Sequence, residues 1–102
     1  MIQSHGLQFT QEGIKQFCRK YSIRKLLFFG SVLRSELRAE SDIDVLVEFM
    51  PGQKVGFLKM AKMELELTSI FGRKVDLRTP AELSRYFRDD VLAGAEVQYE
   101  EG

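Results

Sequence analysis

Residues 42–49 read Asp-Ile-Asp-Val-Leu-Val-Glu-Phe, and this alternation of polar and apolar side chains decides the fold. Successive side chains of a β-strand point to opposite faces, so the odd-numbered residues of the stretch are predicted to line the buried face of a sheet. Asp42 and Asp44 then share the opposite face. Pro51 and Gly52 end the strand. The stretch therefore predicts a strand with one apolar face and two carboxylates on the other.

A second short strand is predicted over residues 74–78, and it carries a third aspartate. Its apolar side chains point inward and Asp76 points outward, so neighbouring strands would bring Asp76 towards Asp42 and Asp44. Two carboxylates spaced i, i+2 lie ~6.6 Å apart and repel by about 2.5 kcal/mol at an effective dielectric constant of ~20. Such a cluster calls for a cation, and oxygen ligands suit Mg²⁺ or Mn²⁺. The alternative is that each aspartate is a solvated surface residue.

Gly30 and Ser31 follow a predicted strand over residues 23–29 and precede a predicted short helix over residues 32–37. A strand that ends in Gly-Ser and turns into a helix presents backbone N–H groups and a hydroxyl, which suit a phosphate group. The two strands must be antiparallel for this turn to meet Asp42 and Asp44. The alternative reading of the pair is an ordinary turn.

Composition limits the remaining classes of function. The 102 residues carry 15 basic and 15 acidic side chains, one His and one Cys, so a four-ligand Cys/His zinc site and broad nucleic-acid binding are not expected. No apolar run is long enough for a membrane span, and no export signal is recognisable at the start. We expect one domain over residues 1–102, located in the cytoplasm, with Cys18 packed in the core.

The remaining elements complete an α+β pattern. Thr10 is a candidate N-cap for a first helix, Gly72 ends a long helix over residues 57–71, and Thr79 to Glu82 form a capping box. The predicted buried stripe of the long helix comprises Leu58, Ala61, Leu65 and Thr68. The last helix is predicted to bury Leu83, Tyr86, Phe87, Val91 and Leu92, before a final edge strand with Val97 and Tyr99. The expected architecture is a mixed, partly antiparallel sheet with helices on one face.

The chain resembles the minimal nucleotidyltransferases (MNT) of the DNA polymerase beta superfamily in the order and spacing of three motifs. These are Gly30-Ser31, then, after ten residues, residues 42–47, and finally residues 72–77. Many of these proteins are the antitoxins of HEPN/MNT toxin–antitoxin pairs. The resemblance implies the nucleotidyltransferase fold, with Asp42 and Asp44 holding two Mg²⁺ ions and Asp76 binding the ion that activates the incoming hydroxyl. It also implies that Gly30 and Ser31 contact the distal phosphates of ATP.

One segment departs from the family pattern. Residues 32–35 read Val-Leu-Arg-Ser where the family has Arg-Ala-Arg-Gly, so only Arg34 is kept as a candidate phosphate contact.

The resemblance implies an enzyme that transfers AMP from ATP to a hydroxyl, with tyrosine the leading candidate, of a HEPN-type partner toxin. The alternative is a catalytically degenerate module that neutralises its partner by binding alone. A receiver-like signalling domain would need a parallel sheet, which the antiparallel pairing disfavours. Assembly with its own copies or with the toxin is left open.

Overall fold

The computed structural model describes residues 2–4, 7–30, 42–86 and 88–101. In chain order the elements are β1 (Ile2–Ser4), β2 (Leu7–Phe9), α1 (Gln11–Lys20), β3 (Ile23–Phe29), β4 (Ile43–Phe49), α2 (Phe57–Phe71), β5 (Val75–Arg78), a 3₁₀ turn (Pro80–Glu82), α3 (Arg88–Gly94) and β6 (Glu96–Glu100). The predicted short helix over residues 32–37 lies outside the described residues.

The main sheet has four strands in the order β5-β4-β3-β6. Strand β3 is antiparallel to both β4 and β6, whereas β4 and β5 are parallel. The α+β class, the mixed sheet and the terminal edge strand are therefore confirmed. Antiparallel pairing of β3 with β4 brings the end of β3 to the beginning of β4, as the Gly-Ser argument requires.

The hydrophobic core lies on the sheet face that carries Leu26, Phe28 and the odd-numbered residues of β4. Helices α1 and α2 cover this face. From the helices, the fully or almost fully buried side chains are Ile14, Phe17, Cys18, Met63, Leu67 and Phe71. Packing of Cys18 in the core is confirmed.

The second face of the sheet is partly covered as well. All helices were predicted to lie on one face of the sheet. The two longer helices do so, but α3 lies on the other face. Leu27 and Leu46 point to the second face, where they pack with Leu83 against the half-buried Val91 and Leu92 of α3. Removing these two apolar side chains from water is favourable, which explains why the chain after β5 packs across the second face of the sheet.

The buried side of α2 differs from the predicted stripe. Met63, Leu67 and Phe71 are buried, whereas Leu58 is 84% and Leu65 is 73% exposed. Apolar residues occur on two sides of this helix, so periodicity alone could not identify the side that packs on the sheet.

The N-terminal segment also differs from expectation. No strand was predicted before the first helix, but β1 and β2 form a separate antiparallel hairpin. Phe9 at its end is buried, with edge-to-face contacts to Phe28 and Phe71 at ring-centroid distances of 6.0 and 5.2 Å. This aromatic contact attaches the hairpin to the core.

The predicted helix caps are confirmed. The Thr10 hydroxyl accepts a hydrogen bond from the Gly13 N–H at 2.9 Å, and Gly72 ends α2 in the left-handed conformation. The Thr79–Glu82 capping box is present, but it begins a short 3₁₀ turn. Burial of Tyr86 was predicted wrongly, since its side chain is 85% exposed, and the side chain of Phe87 lies outside the described residues.

Within the described ranges, each helix falls short of the length and apolar character needed to cross a bilayer.

Candidate active site

The strand register brings two of the three predicted aspartates side by side. Asp44 of β4 is directly opposite Asp76 of the parallel strand β5, and the Ile43 N–H donates to the Lys74 carbonyl at 2.8 Å beside them. Neighbouring strands are about 4.8 Å apart, so these two side chains emerge next to each other on one face. Asp42 immediately precedes β4 and has the same parity as Asp44.

Gly30 approaches the same place from the end of β3. Phe29 is paired with Asp44, and Gly30 follows with a φ of +69°. A Cβ atom added at Gly30 would lie 2.3 Å from Oδ2 of Asp44, a distance that real Cβ atoms do not show. Glycine is therefore required twice here, by the backbone conformation and by the contact with the carboxylate.

Ser31 and Arg34, the other two predicted phosphate contacts, lie outside the described residues, as do Val32 and Ser35 where the sequence departs from the family pattern. The structure thus brings together Gly30, Asp44 and Asp76, with Asp42 next to them.

Positive side chains at the two ends of β5, Lys74 just before it and Arg78 at its last position, pair with two of the carboxylates. Arg78 Nε donates to Asp76 Oδ2 at 3.3 Å, and Lys74 Nζ lies 4.0 Å from Asp42 Oδ2. These pairs are partly exposed, so each contributes little stability, but each cation offsets part of the repulsion between the aspartates. The i, i+2 spacing of Arg78 from Asp76 could have indicated that pair from the sequence, whereas the Lys74–Asp42 pair depends on the pairing of β4 with β5.

Among the described residues, no group of three carboxylate, imidazole or thiolate side chains is close enough together to hold one metal ion. The chemistry of the available donors nevertheless fits a hard divalent ion. The donors on this face are carboxylate oxygens of partly exposed side chains, which Mg²⁺ and Mn²⁺ prefer.

A cysteine nucleophile does not fit the structure. Cys18 is buried on the core face, on the other side of the sheet from Asp44. Burial, aided by the charge of Glu101, raises the pKa of its thiol from 9.0 to about 12. The thiol therefore stays protonated near neutral pH, and a protonated thiol is a poor nucleophile.

One wall of the site was not predicted. The face that bears the aspartates continues into Leu46, Leu27 and Phe29, which α3 and the segment around Leu83 cover. The site is therefore a partly walled surface rather than an open face. The signal was present in the sequence, because these apolar side chains have the strand parity of the aspartates.

The model of the nucleotidyltransferase domain family matches residues 11–97, most of the chain and every element described above except the N-terminal hairpin and the end of β6. The chain belongs to the nucleotidyltransferase domain family. Its class of chemistry is accordingly nucleotidyl transfer.

Named relatives support the same membership. MJ0435, a proposed protein adenylyltransferase of Methanocaldococcus jannaschii, is 33% identical over 73 residues, which cover 72% of this nucleotidyltransferase and 76% of MJ0435. The protein adenylyltransferase MntA of Thermococcus cleftensis is 31% identical over 78 residues, covering 76% of this chain and 77% of MntA.

Solved structures share the fold. A proposed minimal nucleotidyltransferase has a TM-score of 0.68 and 33% identity, covering 83% of this chain and 85% of its own. A toxin–antitoxin structure with AMP-PNP has a TM-score of 0.73 and 18% identity, with coverages of 91% and 75%. The MNT antitoxin in complex with a tri-AMPylated HEPN toxin of Shewanella oneidensis has a TM-score of 0.64 and 18% identity, with coverages of 89% and 70%. The last two likenesses show the fold alone.

Proposed function

We propose that this nucleotidyltransferase transfers AMP from ATP to a hydroxyl group, preferably of a tyrosine, on a HEPN-type partner toxin, and thereby acts as its antitoxin in the cytoplasm. The observation that carries the proposal is the pairing of Asp44 with Asp76 next to Gly30. Support for the target comes from the relative named MntA and from the fold shared with an MNT antitoxin bound to an AMPylated HEPN toxin. The zero net charge favours a protein partner over a nucleic acid.

Asp42, Asp44 and Asp76 would hold the divalent ions, two Mg²⁺ with Mn²⁺ as a substitute. Bound there, the ions would stabilise the negative charge that develops on the α-phosphate and favour ionisation of the attacking hydroxyl. Asp76 lies beside Asp44 and is the group we expect to receive the hydroxyl proton. Gly30, with no side chain, allows phosphate oxygens to approach the backbone at the end of β3.

The proposed reaction is a nucleophilic substitution at phosphorus. The acceptor oxygen forms a bond to the α-phosphorus of ATP, the bond from that phosphorus to the bridging oxygen breaks, and pyrophosphate leaves. The hydroxyl proton goes to Asp76 and then to water. Ser31 and Arg34 would bind the departing phosphates, a hydroxyl and a guanidinium being suitable donors for them.

Two labelled nucleotides test this function. The chain and Mg²⁺ are incubated with the protein encoded by the adjacent open reading frame and with ATP labelled at the α- or the γ-phosphate. We expect label on the partner from α-labelled ATP only, and a loss of at least about 100-fold in Asp44→Asn. Asp90→Asn is the matched control, because Asp90 is exposed on α3. Equal transfer by wild type and Asp44→Asn would refute the enzymatic proposal.

A second candidate function is neutralisation by binding alone. The ion pairs Lys74–Asp42 and Arg78–Asp76 favour this alternative, since they give two of the carboxylates partners without a metal ion. Co-expression of the toxin with Asp44→Asn distinguishes the two. Growth restored by the variant as fully as by wild type supports binding alone, and growth restored by wild type only supports AMP transfer.

A further inference from the structure

An exposed apolar surface on α2 has no part in the chemistry described above. Phe57 is 85% exposed, Leu58 is 84% and Leu65 is 73%, and the exposed Ala61 lies between them. Their spacing places all four on one side of the helix, away from the side that packs on the sheet. We call these four residues the outer α2 patch. Large contiguous apolar surfaces of this kind mark interaction sites.

A cavity of about 300 Å³ adjoins the outer α2 patch and gives it a charged border. It is lined by Val55, Phe57, Met60, Ala61, Glu64, Leu77 and Glu82. Its walls are apolar apart from the two carboxylates, Glu64 and Glu82. Leu77 has the strand parity opposite to Asp76, so this surface lies on the other side of the sheet from the aspartates.

The neighbouring sheet edge cannot accept an added strand. Strand β5 is at the edge of the sheet, and α2 occupies its outward N–H groups: Val75 N–H donates to Thr68 Oγ1 at 3.1 Å and Leu77 N–H donates to Glu64 Oε2 at 2.9 Å. Strand addition requires edge groups that are available for pairing. An occupant of the patch must therefore bind through side chains, which is how an amphipathic helix binds in a groove.

Charge opposes an antiparallel pairing of α2 with a second copy of this chain. A two-fold antiparallel pairing of α2 with its copy would place the flank that carries Glu64 and Glu82 against the identical flank. Four carboxylates would then face one another, and like charges brought together disfavour an interface. A partner helix with Lys or Arg along the same flank has the complementary charge.

We propose that the outer α2 patch docks an amphipathic helix of the partner protein, with apolar side chains against Phe57, Leu58 and Leu65 and basic side chains beside Glu64 and Glu82. The identity of the partner rests on the proposed function, but the surface does not include the aspartates. Docking here holds the partner while the opposite face of the sheet stays accessible to nucleotide.

The test measures the affinity of the purified HEPN-type protein for variants of the full chain by calorimetry. Leu58→Lys and Leu65→Lys place a charge on an exposed helix surface, so the fold is kept, and circular dichroism checks this. We expect each to raise the dissociation constant at least about 10-fold. Val97→Lys introduces the same side chain at the 44% exposed Val97 of β6 and should leave the affinity unchanged. Asp44→Asn should bind as wild type does.

The outcomes separate the docking surface from the proposed function. Unchanged affinity of both leucine variants, with AMP transfer intact, overturns the surface alone. Loss of binding in the leucine variants with no AMP transfer by wild type supports the surface and overturns the enzymatic function. A wild-type chain that is a dimer in solution and becomes monomeric on Leu58→Lys assigns the patch to self-association and overturns the proposal. A wild-type chain that neither binds nor modifies the toxin overturns both.

Discussion

At the scale of single residues, the contact between Gly30 and the Asp44 carboxylate is the most restrictive feature of the site. Two other glycines, Gly52 and Gly72, also have positive φ angles, but a Cβ atom at either would meet nothing within 4 Å. Gly30 alone of these three combines the left-handed backbone with a close neighbour. Because Gly30 has no side chain, the end of β3 can lie directly against the Asp44 carboxylate.

Gly30→Ala should lower both stability and AMP transfer. Gly72→Ala is the matched control, because Gly72 has the same φ of +69° and open space around its Cβ position. We expect the control to lower the free energy of unfolding by about 1 kcal/mol, the cost of a left-handed alanine, without affecting transfer. Gly30→Ala should cost about 1–3 kcal/mol and reduce transfer at least about 10-fold, because the added methyl displaces Asp44. Urea unfolding and the labelled-ATP assay measure the two effects, and equal behaviour of the variants would contradict the role of Gly30.

At the scale of elements, β5 joins the site to the rest of the fold. One face of this strand carries Asp76 with its flanking cations, the other carries the buried Val75 and Leu77, and its outer edge is bonded by side chains of α2. The strand is only four residues long, so these hydrogen bonds form a large part of its attachment. The position of Asp76 therefore depends on α2 as well as on the pairing of β5 with β4.

Thr68→Val tests the attachment of β5. Valine has nearly the same shape as threonine but leaves the Val75 N–H without its acceptor, so we expect a loss of about 1–2 kcal/mol in the free energy of unfolding. Thr68→Ser keeps the hydroxyl and should lose less. Hydrogen exchange at the Val75 amide should accelerate in the valine variant only. Identical stability and exchange in the two variants would show that this bond does not hold the strand.

At the scale of the whole molecule, one closed core between the sheet and the two longer helices protects the only cysteine. Cys18 on α1 has no exposed surface, and the raised pKa of its thiol follows from that burial. The unfolded thiol ionises near pH 9.0 and the folded one near 12, so the unfolded state releases its proton first. The free energy of unfolding should consequently fall as pH rises through this range.

Labelling of Cys18 by iodoacetamide reports on this core. At pH 8 a thiol with a pKa of about 12 has about 10³-fold less thiolate than one with a pKa of 9.0, and burial slows the reaction further. We expect labelling at least about 10³-fold slower in buffer than in 8 M urea. Comparable rates in both solvents would contradict the closed core, and Cys18→Ala should show a shallower loss of stability above pH 9.

The sequence was sufficient where the pattern is local. An apolar run that ends at Gly30 located β3, alternation located β4, parity placed Asp44 and Asp76 on one face, and Thr10 and Gly72 identified helix ends. It was insufficient where the outcome depends on distant partners. Leu58 and Leu65 are as apolar as Met63 and Leu67, and only packing against the sheet decides which pair is buried. The hairpin of β1 and β2 likewise depends on the contact of Phe9 with two distant rings.

We propose that Asp42, Asp44 and Asp76 hold divalent ions against the phosphates of a nucleotide. The most direct test is a crystal structure of the chain with Mn²⁺ and a non-hydrolysable ATP analogue, with anomalous data collected for manganese. We expect anomalous peaks about 2.0–2.2 Å from oxygens of these three carboxylates, with the triphosphate beside Gly30. A bound nucleotide with no anomalous peak between the aspartates, or carboxylates still paired only with Lys74 and Arg78, would contradict it.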